Sequence, residues 1–289
     1  MNSPTLPEGL SLGPMRREEA DILAGWAADE GWNPGKADIG IAWATDPDAF
    51  IALRQGSELA GGGTIFSYGG RFGFMGLFIV RRELRGAGLG AKLWHHRLKR
   101  LQDRLRPGAS IGMDGVFAMV PFYERGGFAL AYRDLRFEGI ARGTADPQVR
   151  SLDPSMFAVV EAVDCAYVPA PRSSFLRQWM FQPGAHAIGL MEKDRLVGYG
   201  VARPARAGFK LGPVFAERAD IAERLIGSLM AKVAGQQVQL DVPEPNQAGM
   251  LIAQQFGLKE VFGCARMYCG GDPKLPVHGI YGVTSFEFG

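Results

Sequence analysis

Leu77-Phe78-Ile79-Val80-Arg81-Arg82-Glu83-Leu84-Arg85-Gly86-Ala87-Gly88-Leu89-Gly90-Ala91 reads as the end of a strand, a glycine loop and the start of a helix. Glycines at alternate positions let backbone N–H groups approach an anion with no Cβ in the way, and the helix N-terminus behind them adds partial positive charge. Arg85 contributes a fork of donors that suits pyrophosphate. A phosphate-bearing ligand is implied, and a glycine-rich turn that merely packs is the lesser reading. Downstream, Trp94, Leu98, Leu101 and Leu105 recur at helical spacing and form a core stripe. Upstream, apolar runs at 50–53, 59–66 and 72–80 read as three strands of an antiparallel meander, the last two joined by a turn at Tyr68-Gly69-Gly70.

Two other phosphate folds compete for the loop. A P-loop needs Gly-Lys-Ser/Thr, whereas this chain has Gly90-Ala91-Lys92-Leu93, so no hydroxyl follows to bind a metal. Gly86-x-Gly88-x-x-Ala91 does satisfy the dinucleotide form, and Asp114 closes the next strand, where a ribose would sit, so an NAD(P)-dependent oxidoreductase stays open as an alternative. Against it stand the antiparallel meander before the loop and the lack of further alternating strands and helices in this half.

The elements recur. Residues 58–63 (ELAGGG) resemble 195–200 (RLVGYG), 72–80 resemble 209–216, SIGMDG resembles VQLDVP at 238–243, and FYERGGF at 122–128 lines up with IAQQFGL at 252–258. Two copies of one fold explain this economically. The seam falls in the Gly- and Pro-rich stretch 139–154, which divides the chain into residues 1–139 and 140–289. Opposite the glycine loop the second copy has Glu217-Arg218-Ala219-Asp220-Ile221, and opposite Tyr123 it has Ala253, so only the first half is expected to bind the cofactor.

Over residues 12–138 the chain resembles the GNAT-superfamily N-acetyltransferases. Arg85-Gly86-Ala87-Gly88-Leu89-Gly90 is similar to the R/Q-x-x-G-x-G/A signature of that family, and Tyr123 in Pro-Phe-Tyr-Glu-Arg-Gly-Gly-Phe is similar to its Y-x-x-x-G-F element. Glu30-Gly31-Trp32-Asn33-Pro34-Gly35 and the tail HGIYGVTSFEFG resemble a bacterial branch with a divergent GNAT-like C-terminal domain. The resemblance implies an α+β fold of tandem GNAT-like domains, each a mixed, mostly antiparallel sheet flanked by helices. It implies acetyl-CoA as co-substrate, with its pyrophosphate on the loop from Arg85 to Ala91 and its pantetheine arm along a splayed strand at Phe78, Ile79 and Val80. It also implies Tyr123 as the general acid. Transfer to a primary amine on a small molecule is the expected reaction, and a CoA-binding sensor without turnover is a second alternative.

Backbone N–H groups of Phe78 and Ile79 are candidates to polarise the thioester carbonyl. Trp32 and Asn33, an aromatic and an amide on a loop set by Pro and Gly, are candidates to line the acceptor pocket, although Trp32 serves equally to pin the loop to the core. For the general base, Glu30, Asp38, Asp114 and Glu124 stand level, each more often a surface or capping carboxylate. His95 and His96 read as solvated.

Composition narrows the class. With 47% hydrophobic and 21% charged residues and a net charge of +2, the chain reads as a globular protein with no membrane span. The basic run at 97–106 reads as a solvated helix face rather than a nucleic-acid footprint. Cys165, Cys264 and Cys269 lack metal or disulfide spacing and read as buried free thiols, and no metal is expected. The N-terminal stretch MNSPTLPEGLSLGPMRREE has no secretory pattern, so the cytoplasm is the expected compartment. Oligomeric state is left open, a homodimer included.

Overall fold

The computed structural model describes residues 9–289; the first eight residues of the N-terminal stretch read above lie outside the described residues. The first half runs β1 (Leu10–Pro14), α1 (Arg17–Asp29), α2 (Asp38–Thr45), β2 (Phe50–Gln55), β3 (Glu58–Tyr68), β4 (Phe72–Val80), α3 (Leu89–Gln102), β5 (Ser110–Gly115), α4 (Val120–Arg125) and β6 (Ala129–Ile140). The second half runs β7 (Val149–Ser151), α5 (Phe157–Asp164), α6 (Ser173–Met180), β8 (His186–Glu192), β9 (Arg195–Pro204), β10 (Phe209–Ala216), α7 (Ala219–Lys232), β11 (Gln237–Pro243), α8 (Gln247–Gln255), β12 (Lys259–Cys269) and β13 (Ile280–Gly282).

The strands expected from the apolar runs form, and β3 is buried along nearly its whole length because helices cover both faces of the sheet. The helix after the glycine loop stops at Gln102, short of the expected Pro107-Gly108. Leu105 therefore joins the core from the turn beyond it, not from the helical stripe. Arg97 departs from the expected solvated face. It is fully buried, and Nη2 donates to the carbonyls of Thr64 (2.6 Å) and Gly76 (2.7 Å). Gly63 makes room for it, since a Cβ there would lie 2.4 Å from the guanidinium carbon. Cys165 also differs from expectation, being exposed, while Cys264 is buried; all three thiols are free.

One thirteen-stranded sheet runs through both halves in the order β1-β2-β3-β4-β5-β12-β6-β11-β10-β9-β8-β7, with β13 paired to β10. The repeat leads to an expected division at 139/140, yet the sheet does not follow that division. Strand β12 pairs with β5 of the first half, and β6 pairs with β11 of the second, so each half lends its last long strand to the other. Buried ion pairs lock the same seam: Arg203 holds both oxygens of Asp38, and Arg136 holds both of Asp241.

Each half contains a parallel pair that opens into a splay. Strand β4 pairs with β5 only from Phe72 to Met75. A bulge follows, marked by a register shift against β3 and by a left-handed Leu77 (φ 48°), and it turns the rest of β4 away from β5. Strand β10 likewise pairs with β11 only from Phe209 to Leu211. There β13 occupies the opening, paired with Val214 and Phe215, and the Val283 N–H donates to the Asp241 carbonyl at 2.8 Å. The buried tail then runs on to the first half. A Cβ on Gly212 would meet the Val283 carbonyl at 2.2 Å, and one on Gly76 would meet the Glu287 carbonyl at 1.9 Å. The Tyr68 hydroxyl donates to the Phe288 carbonyl, and Arg172 Nη1 donates to the Gly289 oxygen at 2.8 Å.

Candidate active site

A cavity of about 400 Å³ opens where β4 leaves β5. Phe78, Ile79 and Val80 form one wall, and their edge toward β5 has no strand partner. Of the loop residues, Arg85, Gly86, Gly90 and Ala91 line the cavity; Ala87 faces solvent, Gly88 caps α3, and Leu89 turns into the core. Gly86 (φ 84°) and Gly88 (φ 76°) hold the left-handed backbone that only glycine adopts without strain, and nothing lies within 4 Å of where a Cβ would sit on either. A phosphate therefore has unobstructed access to the backbone N–H groups at the start of α3.

Arg85 is already oriented. Its Nε donates to the Val80 carbonyl (2.9 Å) and its Nη2 to Glu30 (2.7 Å), and that hydrogen bond holds the Glu30 carboxyl below the usual carboxylate range. Glu30 thus lines the cavity as the partner of Arg85 and Arg82.

Tyr123, carried on α4, is 4% exposed, with its ring 5.0 Å from that of Trp94. Gly115 accommodates it, because a Cβ there would lie 2.4 Å from the Tyr123 ring. Burial pushes the phenol up to about 12, partly opposed by the Arg97 charge, so it keeps its proton at neutral pH. Splayed strand, glycine loop and phenol, which come from a stretch running from Phe78 to Tyr123, share one cavity.

The remaining candidates separate. Trp32 lines the cavity, and its carbonyl accepts from Arg136 Nη1 (2.9 Å) and Lys210 Nζ (3.1 Å), so it both walls the pocket and pins the loop. Asn33 is not brought into the cavity. Its amide bonds both backbone groups of Ala207, and Gln239, and so it fastens the halves together. Asp38 is consumed by Arg203 in the seam, and Glu124 is exposed outside the cavity wall. Asp114 lines the cavity, but Arg266 donates to both its oxygens at 2.7 Å. Arg266 thus occupies Asp114 where a ribose would need it, and with only two parallel strand pairings among the described residues the sheet does not suit the dinucleotide reading. His95 and His96 lie outside the cavity wall, and His96 is half-buried rather than solvated. Among the described residues no group of His, Cys, Asp and Glu is placed to hold a metal, and no helix is long and apolar enough to cross a membrane.

Sequence reasoning missed Phe262 and Cys264 on β12, Phe286 and Glu287 in the tail, and Arg97 on α3, all of which line the cavity. Four of these come from the second half, and no local pattern marks them.

Comparison with known proteins agrees with this architecture. A family model described as Acetyltransferase (GNAT) family matches residues 17–128, and one described as Acetyltransferase (GNAT) domain matches residues 160–282. The chain is 26% identical over 279 residues to the holothin acyltransferase of Pseudoalteromonas sp. (strain SANK 73390), covering 96% of this chain and 93% of that protein. A structure from Pyrococcus horikoshii, assigned as an acetyltransferase, superposes with a TM-score of 0.84 at 19% identity, over 100% of this chain and 99% of that one. A tandem GNAT protein from the clavulanic acid biosynthesis pathway superposes at 0.63 with 14% identity, over 91% and 99% of the two chains. The fold and the site define an acyltransferase. This chain belongs to the GNAT acetyltransferase family, as a member with two such domains in tandem.

Proposed function

We propose that the protein moves an acetyl group from acetyl-CoA to a primary amine on a small molecule in the cytoplasm. The observation that carries this reading is the single cavity shared by the glycine loop, the unpaired edge of β4 and the buried Tyr123 phenol. Acetyl-CoA fits these residues: the loop offers free N–H groups and Arg85 to pyrophosphate, and the β4 edge offers backbone groups to a pantetheine amide. The thioester supplies the activated acetyl group. The Phe78 N–H polarises its carbonyl, whereas the pairing of Ile79 with Gly62 turns the Ile79 N–H to β3, and Tyr123 donates its proton to the departing sulfur.

The acceptor side is lined by Trp32, Phe262 and Phe286, with Met75 and Met113, which suits a flat, largely apolar amine. The likeness to the holothin acyltransferase along nearly the whole of both chains supports acyl transfer as the reaction. Titration with CoA, together with thiol release from acetyl-CoA in the presence of aromatic amines, tests the reading. Arg85→Glu should weaken CoA binding at least ~10-fold, because it replaces a donor to the phosphates by a like charge. Undiminished affinity in that variant would remove the loop assignment. Absence of thiol release with any amine in a protein that binds CoA would favour a sensor.

A further inference from the structure

We propose that Glu287, delivered by the tail of the second half, is the general base that takes the proton from the acceptor amine. The assignment rests on the acyl-transfer reading above. Five buried carboxylates of the molecule, Glu19, Asp38, Asp114, Asp164 and Asp241, each have both oxygens held by one guanidinium. Such a grip occupies the lone pairs and lowers proton affinity, and it disqualifies Asp114, the one of the five that reaches the cavity. Asp134 has no such partner but does not line the cavity. Glu287 lines the cavity, is 4% exposed, and forms no ion pair among the described residues. Its Oε2 accepts from the Ser285 hydroxyl at 2.5 Å.

The position is rigid. The Glu287 N–H donates to Ser285 Oγ (2.9 Å), its carbonyl lies against Gly76 at the root of the splay, and Phe288 beyond it stacks edge-on with Phe66 at 5.3 Å. The side chain thus sits beside the point where β4 opens, in the same cavity as Tyr123.

The proton count closes. As the nitrogen–carbon bond to the acetyl group forms, Glu287 takes a proton from the amine nitrogen; as the carbon–sulfur bond breaks, Tyr123 gives its phenolic proton to the sulfur. The products are the amide and CoA thiol. Exchange with water then returns the proton from Glu287 and restores the one on Tyr123. An amine that arrives as an ammonium ion gives its first proton to bulk water.

The experiment compares the full chain with Glu287→Gln, following CoA thiol release from acetyl-CoA with benzylamine, tyramine and tryptamine from acid to alkaline pH, and measuring CoA affinity by calorimetry. Glu287→Gln should bind CoA as the parent does, showing that it is folded, and should lose ~10²-fold in kcat at neutral pH. The deficit should shrink toward alkaline pH, and Glu287→Asp should recover part of it. Ser285→Ala, which keeps the carboxylate but frees it, should give a smaller loss of the same pH form, and this settles the matter if Glu287→Gln fails to bind CoA. Parental rate and pH profile in Glu287→Gln, or in Ser285→Ala where that variant must decide, would overturn the assignment. A parent inactive on every amine would instead overturn the acyl-transfer reading on which it stands.

Discussion

Tyr123 acquires its chemistry from burial. Its ring packs on Trp94 and into the space left by Gly115, and the loss of water around the hydroxyl raises its proton affinity, so the phenol stays protonated until it is needed. Tyr123→Phe keeps the ring and its packing while removing the proton. The variant should bind CoA with near-parental affinity and turn over ~10²-fold more slowly, read by calorimetry and by thiol release. A parental rate would take Tyr123 out of the mechanism. Arg85 is fixed differently, by a salt bridge to Glu30 and a hydrogen bond to the Val80 carbonyl.

Strand β6 carries an acidic residue that the sheet cannot pair. Asp134 lies opposite Cys264 on β12 and Pro243 on β11, and neither of its buried oxygens finds a donor. Burial, reinforced by the neighbouring Asp114 charge, raises Asp134 well above the carboxylate range, while Arg266 sits 3.6 Å away and bonds Asp114 instead. The folded-state pKa thus exceeds the unfolded one of about 3.9. The contribution of this group to stability is full below that value and is lost as pH rises toward the folded pKa, because the folded chain holds a proton the unfolded chain has released. The slope is about 1.4 kcal/mol per pH unit within that window. Asp134→Asn keeps the shape of the side chain and cannot titrate, so urea unfolding at mildly acidic and neutral pH should show a flatter dependence than the parent. Equal slopes in the two proteins would mean that Asp134 is ionised in the fold.

At the level of the whole molecule the two copies have diverged at their splays. In the first, the opening between β4 and β5 is a cavity; in the second, β13 fills the opening between β10 and β11. The link from β10 to α7 has also lost its glycine loop, and at the start of α7 Arg218 is held by Glu192 and Asp220. A pyrophosphate there would meet the carboxylates of Glu192 and Asp220. Titration with CoA should therefore give one site per chain. A stoichiometry near two, halved by Arg85→Glu, would show that β13 gives way to ligand. The tail that closes the second splay continues to the first, so the copy without the glycine loop supplies part of the cavity wall of the copy that has it.

Local patterns determined a good part of this protein. Strand periodicity located β2, β3, β4 and β5, the alternating glycines located the loop, and the matching order of elements disclosed the repeat, because each depends on residues close together in the chain. The eight-residue α2 escaped notice, since Gly40 interrupts its apolar pattern. The long strands β6 and β12 escaped as well, and with them the exchange that sets β12 beside β5. That exchange, the bulge at Leu77, the sinking of Arg97 between glycines and the approach of Glu287 to Gly76 were decided only by the tertiary structure. Each depends on which backbone comes against which, over separations as long as that from Gly76 to Glu287, and on whether a buried charge finds a partner there. The amino-acid sequence names the charges and the glycines; folding alone brings them into contact.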